Sequence, residues 1–203
     1  MKRVFSEIYR RNAWGDSESV SGPGSTVTRT AAFREELEGL LREIEVESIL
    51  DAGCGDFNWM KEMRVGVKRY IGVDIVEEII EEDRRRYERE DRTFIGLDIT
   101  RDDLPMADLI LCRDALVHFS FDDMRSAIRN FKKSGAAHLL TTTFTRFAPN
   151  IDIETGGWRQ VNLEISPFNF PAPLRVIDEK CHHSGGQFAD KRLSLWALKE
   201  LPI

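Results

Sequence analysis

Cysteine is scarce in this sequence, and the few cysteines follow no pairing pattern. The 203 residues contain three, Cys54, Cys112 and Cys181, and no two of them form a CxxC motif. An odd number of cysteines without that spacing argues against a disulfide framework. We therefore expect reduced thiols in a reducing compartment.

Long apolar runs and an excess of positive charge are also missing. No uncharged stretch approaches the ~18–20 apolar residues of a membrane span, and residues 1–14 lack the apolar run of a signal peptide. The 29 Lys and Arg residues against 35 Asp and Glu residues give a net charge of −6, which disfavours unspecific attraction to nucleic acid. These absences predict a cytoplasmic protein with neither a membrane span nor a nucleic-acid partner.

What remains is the composition of a globular domain, with 41% hydrophobic and 32% charged residues. The length suits one domain, with or without an added arm. Residues 15–29 are rich in Ser and Gly and predict a loop. We divide the chain into an amino-terminal arm or lid, residues 1–30, and a single domain, residues 31–203.

Short apolar segments alternate with helical periodicities along the domain. Helices are expected over 31–44 with Thr30 as the cap, over about 76–87, and after Ser120, where an S-x-x-D pattern reaches Asp123. The predicted strands are 48–51, 70–74, 93–96, 108–112, 137–144, 175–178 and 193–198. This alternation predicts a parallel sheet with helices on both faces.

The first strand leads into the most informative segment, Ser-Ile-Leu-Asp-Ala-Gly-Cys-Gly-Asp at 48–56. Gly53 and Gly55 allow a sharp turn and a close approach to a ligand, and a helix is expected to follow. The second strand ends in Asp74, whose carboxylate can accept hydrogen bonds from both hydroxyls of a ribose. These features permit either a dinucleotide or an adenosyl ligand.

Asp56 favours the adenosyl ligand. A pyrophosphate would need the free N–H groups and positive end of the next helix, which Asp56 can cap, and the carboxylate would repel phosphate. Asn58 also occupies the place of the third glycine in G-x-G-x-x-G. S-adenosylmethionine has no phosphate and carries a sulfonium cation, so carboxylates suit it better than they suit NAD.

The ordered series LDAGCGD, IGVDI, GLDIT and DLILCRDALVHF, within about residues 47–145, resembles the class I, Rossmann-like S-adenosylmethionine-dependent methyltransferases. The resemblance implies a three-layer α/β/α fold whose sheet is mostly parallel, with an antiparallel strand near the carboxyl terminus. It implies S-adenosylmethionine as cofactor. The family often has a further glycine where this chain has Phe57, which bears on the shape of the turn.

The resemblance also implies roles for individual residues. The methionine part of the cofactor would be held by Asp51, Gly53, Cys54 and Gly55. Asp74 would hold the ribose with Ile75 against the adenine, and Asp98 would contact the adenine amino group with Ile99 beside it. Each acid also has a purely structural interpretation: a turn acceptor for Asp51, a helix cap for Asp74, and a cap or turn residue for Asp98.

The Trp-Gly and Ser-Gly-Pro-Gly-Ser elements of residues 14–25 resemble the amino-terminal arm of bacterial members of this class. We hypothesise that the arm folds over the cofactor, with Trp14 as a wall and Arg29 near the methionine carboxylate. A flexible arm is the alternative.

Methyl transfer from a sulfonium needs an aligned nucleophile, a dry site and sometimes a base. His118 has a suitable intrinsic pKa for a base, and Asp114 can orient it or bind the acceptor. We hypothesise that His118 or Asp114 assists deprotonation of an oxygen or nitrogen acceptor. The alternative is that His118 only packs under the cofactor.

Residues 145–173 contain four prolines and several aromatic side chains, and predict an ordered functional loop beside the acceptor. The aromatic residues are Phe147, Trp158, Phe168 and Phe170, and the polar candidates are Arg159, Asn162 and Glu164. Further along, Cys181-His182-His183 suggests a metal, but adjacent histidines rarely converge on one ion, so we expect none.

The sequence thus predicts methyl transfer to an oxygen or nitrogen of a small-molecule, sugar-like or lipid-like acceptor, by a monomer or homodimer. Two alternatives stay open. One is a non-catalytic module that binds adenosyl compounds, and the other is an NAD-dependent oxidoreductase.

Overall fold

The computed structural model describes residues 1–64, 66–146, 148–181 and 184–203. Within them, seven strands form one sheet in the order β3-β2-β1-β4-β5-β7-β6. The strands are β1 Ser48–Ala52, β2 Arg69–Asp74, β3 Arg92–Gly96, β4 Leu109–Cys112, β5 His138–Phe144, β6 Arg175–Asp178 and β7 Lys191–Ala197. β7 pairs antiparallel with β5 and β6, and the other pairs are parallel. The predicted sheet is confirmed.

Helices cover both faces of this sheet, because the central strands carry apolar side chains on both faces. The helices are α1 Lys2–Arg10, α2 Val27–Glu43, α3 Glu77–Tyr87 and α4 Phe121–Lys133. Ile49 of β1 belongs to the same apolar cluster as Phe33 of α2, whereas the next residue, Leu50, belongs to the cluster that contains Ile128 of α4. A strand buried on both faces is the mark of the three-layer α/β/α fold, which is therefore confirmed.

The predicted start of α4 is confirmed, since the Ser120 hydroxyl accepts a hydrogen bond from the backbone N–H of Asp123 at 3.2 Å. The predicted start of α2 is wrong. This helix begins at Val27, and the buried Thr30 lies inside its first turns, where its hydroxyl donates to the Thr26 carbonyl at 2.9 Å. The reason is tertiary: the Glu18 carboxylate accepts from the Val27 N–H at 2.7 Å and caps the helix from the loop.

The helix expected after Gly55 is also wrong, because only a short 3-10 turn follows, at Met60–Glu62. Phe57 adopts a left-handed backbone with φ of +55° and is buried in edge-to-face contacts with Tyr70 and Phe94. Burial of this ring directs the chain into the core instead of along a helix. A third difference lies at the amino terminus, where α1 occupies part of the predicted arm.

The strand order determines where a ligand can bind. The chain passes from β1 outward to β3 on one side and from β4 outward on the other, so β1 and β4 flank the switch in strand order. In open α/β sheets, ligands bind beyond the carboxyl ends of the strands at that switch. Asp51, Asp74 and the Arg113-Asp114 pair lie at or just beyond these ends.

Candidate functional site

A cavity lies at the carboxyl ends of β1, β2 and β4 and is closed on one side by the arm. Nearly all of the predicted site residues line it: Trp14, Asp51, Gly53, Cys54, Gly55, Asp74, Ile75, Ile99, Asp114 and His118. The arm contributes Met1, Phe5, Tyr9, Val20, Ser21 and Ser25. Residues from distant parts of the chain thus converge on one cleft.

The glycine turn brings the backbone close to both the fourth strand and the arm. Gly53 and Gly55 have φ values of +86° and +57°, which side-chain-bearing residues rarely adopt. A Cβ atom on Gly53 would lie 2.8 Å from the Cβ of Ala115, and one on Gly55 would lie 2.1 Å from the Ser21 hydroxyl. The turn therefore requires glycine at both positions.

Asp51 is buried and accepts a hydrogen bond from the Tyr70 hydroxyl at 2.6 Å. Burial raises the pKa of Asp51 to about 7, the nearby Asp74 carboxylate adds to the rise, and the Tyr70 hydrogen bond opposes it. Near neutral pH, a cationic ligand group will therefore favour the ionised form of this carboxyl.

Asp74 braces the site and still has room for a ligand. One carboxylate oxygen accepts from the Gly55 N–H at 3.1 Å and the other from the Val76 N–H at 3.0 Å, at the start of α3. Burial raises its pKa, although these backbone donors lower it. An ionised carboxylate has about four acceptor positions, so the capping role and the predicted ribose role are compatible.

Asp98, which was predicted to contact the adenine, is not part of the cavity lining. Its carboxylate accepts from the Thr100 hydroxyl at 2.6 Å and from the Thr100 N–H at 3.1 Å, and it pairs with Arg101 at 3.2 Å. These are the contacts of a turn residue. The neighbouring Leu97 and Ile99 provide the apolar wall at this end of the cavity.

His118 lies beside Trp14, with ring centroids 4.9 Å apart. Its Nδ1 is 2.7 Å from the Gly157 carbonyl oxygen, and since a carbonyl can only accept, we assign the proton to Nδ1. Burial lowers the pKa of His118, although the Gly157 bond opposes the change. The ring is thus neutral near pH 7, and Nε2 is its acceptor.

Asp56 fastens the arm to the domain and does not cap a helix as expected. One of its oxygens accepts from the Ser19 hydroxyl at 3.0 Å and the Ser21 hydroxyl at 3.2 Å. The other accepts from the Val20 N–H at 3.0 Å. Arg29, expected near the methionine carboxylate, is exposed on α2 and is not part of the cavity lining.

Comparison with known proteins agrees with this geometry. Residues 49–135 match the family model described as a methyltransferase domain. Residues 49–135 therefore form a methyltransferase domain. No curated protein sequence matches the chain.

Solved methyltransferase structures share the fold of the domain. Magnesium protoporphyrin IX methyltransferase (ChlM) from Synechocystis PCC 6803 with bound SAM is 16% identical, with a TM-score of 0.62 over 96% of this chain and 95% of that one. The N-methyltransferase NodS from Bradyrhizobium japonicum WM9 is 18% identical, with a TM-score of 0.55 over 81% and 96%. The methyltransferase domain of bacterial CtHen1 is 13% identical, with a TM-score of 0.50 over 57% of this chain.

The alignment with CtHen1 spans 66% of that chain, and the alignment with NodS in complex with S-adenosyl-l-homocysteine spans 62% of that one. At identities below a quarter, the likenesses with TM-scores of 0.62 and 0.55 show the fold alone.

Asp114 is held as a carboxylate by two cations. Its Oδ2 accepts from the Lys191 ammonium at 2.6 Å and lies 3.3 Å from the Arg113 guanidinium. Burial alone would raise the pKa of Asp114, but Lys191 and Arg113 outweigh burial and hold that pKa well below its usual range. Asp114 is therefore too weak a base to remove a proton near neutral pH.

Arg113, Lys191 and Glu179 form a buried network behind Asp114 that the sequence did not predict. Glu179 is 2.6 Å from the Arg113 guanidinium and 3.2 Å from the Lys191 ammonium. Arg113 also donates to the Gly24 carbonyl of the arm at 2.9 Å and lines the cavity. In the sequence, only the adjacency of Arg113 and Asp114 indicates an ion pair. Glu179 and Lys191 lie far along the chain, after β6 and at the start of β7.

The loop over 145–173 proves mainly structural. Arg159 is buried and donates to the carbonyl oxygens of Val117 at 2.9 Å and Phe119 at 2.8 Å, which fixes the segment that carries His118. The Asn162 side chain accepts from the Glu164 N–H at 3.0 Å. Trp158 remains 47% exposed, although its ring packs edge-on against Phe144 and Phe188.

Three positions named from the sequence, Phe147, His182 and His183, lie outside the described residues. In the part of the chain that the structure describes, no group of three or more His, Cys, Asp or Glu side chains is arranged to hold a metal ion. Within the same ranges, no helix combines the length and the apolar character needed to cross a membrane.

Proposed function

We propose that the methyltransferase transfers a methyl group from S-adenosylmethionine to an oxygen or nitrogen atom of a small-molecule, sugar-like or lipid-like acceptor. The observation that carries the proposal is the cavity in which the Asp51 and Asp74 carboxyls and the neutral His118 ring line one space. The carboxyls suit a ligand with cationic groups and ribose hydroxyls, and His118 suits an acceptor that must lose a proton.

The residues along the cavity can each be assigned to a part of the cofactor. Asp51, Gly53, Cys54 and Gly55 would hold the methionine part, and Asp74 the ribose. Ile75, Leu97 and Ile99 offer apolar contacts to the adenine, with Phe5 and Tyr9 of α1 on the side of the arm. Since Asp98 is not part of the lining and has only turn contacts here, its proposed contact with the adenine amino group requires its carboxylate to leave these contacts.

His118 is proposed as the general base. When bound, the cofactor supplies a methyl group on a sulfonium whose sulfur leaves as a neutral thioether, so no acid is needed for the leaving group. Nε2 of His118 takes the proton of an acceptor O–H or N–H, while Nδ1–H is held by Gly157. Asp114 orients the acceptor and stabilises the protonated imidazole, because it stays negatively charged.

We also propose that the arm, residues 1–30, acts as a lid. Its residues form one wall of the cofactor cavity, and they are fixed by Asp56 and by the Arg113 contact with Gly24. A closed arm would keep water from the transferring methyl group and bring Trp14 against His118.

The experiment combines cofactor binding with turnover. The purified chain is incubated with labelled S-adenosylmethionine and pools of acceptors, and the product is identified by its mass. His118→Ala should lower turnover by about 10²–10⁴-fold while S-adenosylhomocysteine still binds, because the histidine acts only on the acceptor. His138→Ala, at the other end of the parallel sheet, is the matched control and should keep full turnover.

Other outcomes separate the alternatives. Full turnover in His118→Ala would exclude a base role and leave His118 as a packing residue. Binding of S-adenosylhomocysteine without methylation of any acceptor pool would favour a non-catalytic module, and preferential binding of NAD would favour an oxidoreductase.

A further inference from the structure

A second cavity, of about 460 Å³, lies between the arm and α3. It shares Tyr9, Val20 and Ile79 with the cofactor cavity but is otherwise lined by different residues. Its lining is strongly acidic, with five carboxyl groups against two cationic side chains: Asp16, Glu18, Asp56, Glu82 and Asp83, and Lys61 and Arg86. The proposed methyl transfer gives this space no role.

Four of these carboxyls already have partners in the chain. Asp56 holds the arm, and Glu18 accepts from the Asn58 amide and the Val27 N–H, both at 2.7 Å. Asp16 accepts from the Glu18 N–H at 2.7 Å and the Ser19 N–H at 3.1 Å. Glu82 pairs with Arg85 and Arg86 on the surface of α3.

Asp83 differs from the other four. It lines the cavity from α3, its residue is 1% exposed, and among the described residues its buried Oδ2 has no hydrogen-bond partner. Burial, together with the Asp56 and Asp74 carboxylates, raises the pKa of Asp83 to about 8. A buried polar atom without a partner costs free energy, so native structures rarely leave one unexplained.

We infer that this cavity binds the protonated amino group of a small organic molecule, with Asp83 as the acceptor of its hydrogen bond. An ammonium group supplies a hydrogen-bond donor for the Asp83 carboxyl and offsets the acidic lining. Tyr9, Ile79 and Tyr87 line the same space and provide apolar contact for the carbon part of the molecule.

An organic cation fits this space better than a metal ion. The described residues offer no cluster of three or more metal-ligating side chains, and most carboxyls here are already engaged. An ammonium needs single acceptors at hydrogen-bond distance, whereas a hard metal ion needs six or so oxygen ligands. The cavity volume also suits a molecule of several heavy atoms.

The site would connect the arm to the domain. Asp16 and Glu18 come from the arm, whereas Asp83 comes from α3, so a cation between them contacts both. Occupation of the cavity should therefore stabilise the closed arm.

The test is a ligand-observed NMR titration of the free, full-length chain near neutral pH. The probes are n-butylamine and its uncharged counterpart n-butanol, compared on the wild type, Asp83→Asn and Glu81→Gln. Glu81 lies on the same helix but is exposed and is not part of the lining, so it is the matched control. No methyl donor or acceptor is present, so the outcome does not depend on the proposed function.

We expect saturable binding of n-butylamine and none of n-butanol. Asp83→Asn should lower the affinity for n-butylamine by about tenfold or more, the loss expected for one charge-assisted hydrogen bond. Glu81→Gln should leave this affinity unchanged. Equal binding of both probes, no saturable binding, or unchanged affinity in a folded Asp83→Asn protein would overturn the inference. If Asp83→Asn does not fold, the comparison of n-butylamine with n-butanol on the wild type still tests whether the cavity binds an ammonium group.

Discussion

At the scale of single residues, two buried aspartates have pKa values that their surroundings shift in opposite directions. Asp51 is buried against the Tyr70 hydroxyl, and its pKa rises to about 7. Asp114 is buried too, but Lys191 and Arg113 hold its pKa well below the usual range. Asp51 therefore changes charge near neutral pH, whereas Asp114 stays negative at every pH where the protein would be studied.

This difference predicts how cofactor affinity depends on pH. A cationic ligand group beside Asp51 favours the carboxylate, so binding at low pH must first remove a proton. Affinity for S-adenosylhomocysteine should rise by up to about tenfold per pH unit as the pH approaches 7 from below and level off above it. Equilibrium titrations across this range measure the slope.

Asp51→Asn is the control for this prediction. The amide cannot ionise, so affinity should be lower and its pH dependence weaker. An equally steep slope in this variant would assign the titration to another group, such as Asp74, whose pKa burial also raises.

At the scale of elements, Asp56 of the domain holds one segment of the arm. Its carboxylate binds Ser19, Val20 and Ser21, while α1 also contacts α3 through exposed ion pairs such as Arg10 with Glu78. Exposed ion pairs contribute about 0–1 kcal/mol, and hydrogen bonds to a charged group about 1.5–3 kcal/mol. The Asp56 contacts should therefore contribute more to keeping the arm closed than the surface ion pairs do.

Asp56→Asn should open the arm, because the amide is a poorer acceptor and its nitrogen cannot accept at all. We expect faster proteolysis within residues 1–25 and weaker binding of S-adenosylhomocysteine. Limited proteolysis and equilibrium binding measure the two effects, with Glu78→Gln as the control for a surface pair. If removal of residues 1–25, which keeps all residues of α2 but removes its Glu18 cap, does not change cofactor affinity, the lid proposal is wrong.

At the scale of the whole molecule, the network of Arg113, Asp114, Glu179 and Lys191 joins distant parts of the chain. Arg113 and Asp114 follow β4, Glu179 follows β6, Lys191 begins β7, and Arg113 also reaches the arm at Gly24. The side chains of Arg113 and Glu179 are 4% and 1% exposed. Removing one member of such a group leaves a buried charge without compensation.

Glu179→Gln should therefore destabilise the fold by about 3–5 kcal/mol, because Arg113 and Lys191 would share a single carboxylate. Chemical denaturation measures the free energy of unfolding. Glu43→Gln breaks the exposed pair with Arg175 and should cost less than about 1 kcal/mol. Equal losses in the two variants would show that the buried network adds no special stability.

The strands and the long domain helices could be predicted because their signals are local. Apolar runs predicted the strands, and the Ser120 cap predicted the start of α4, since each depends on residues within one or two turns. The start of α2 could not be predicted in this way. Its cap is Glu18, whose side chain reaches Val27 only because the arm folds back.

The residues of the candidate site also differ in how far the local sequence predicts their contacts. Asp51, Gly53, Gly55 and Asp74 were predictable because parallel strands bring their carboxyl ends to one edge of the sheet. Asp98 occurs in a segment of similar pattern, yet Thr100 and Arg101 hold its carboxylate in the turn.

The sequence by itself determined the α/β/α architecture and the place of the candidate site, since both follow from periodicity and from the glycine turn after the first strand. Only the tertiary structure decided which carboxyls have a raised pKa and which fasten the arm. Those properties depend on burial and on charges far apart in the chain. Lys191 comes to Asp114, and the arm to Asp56, through folding alone.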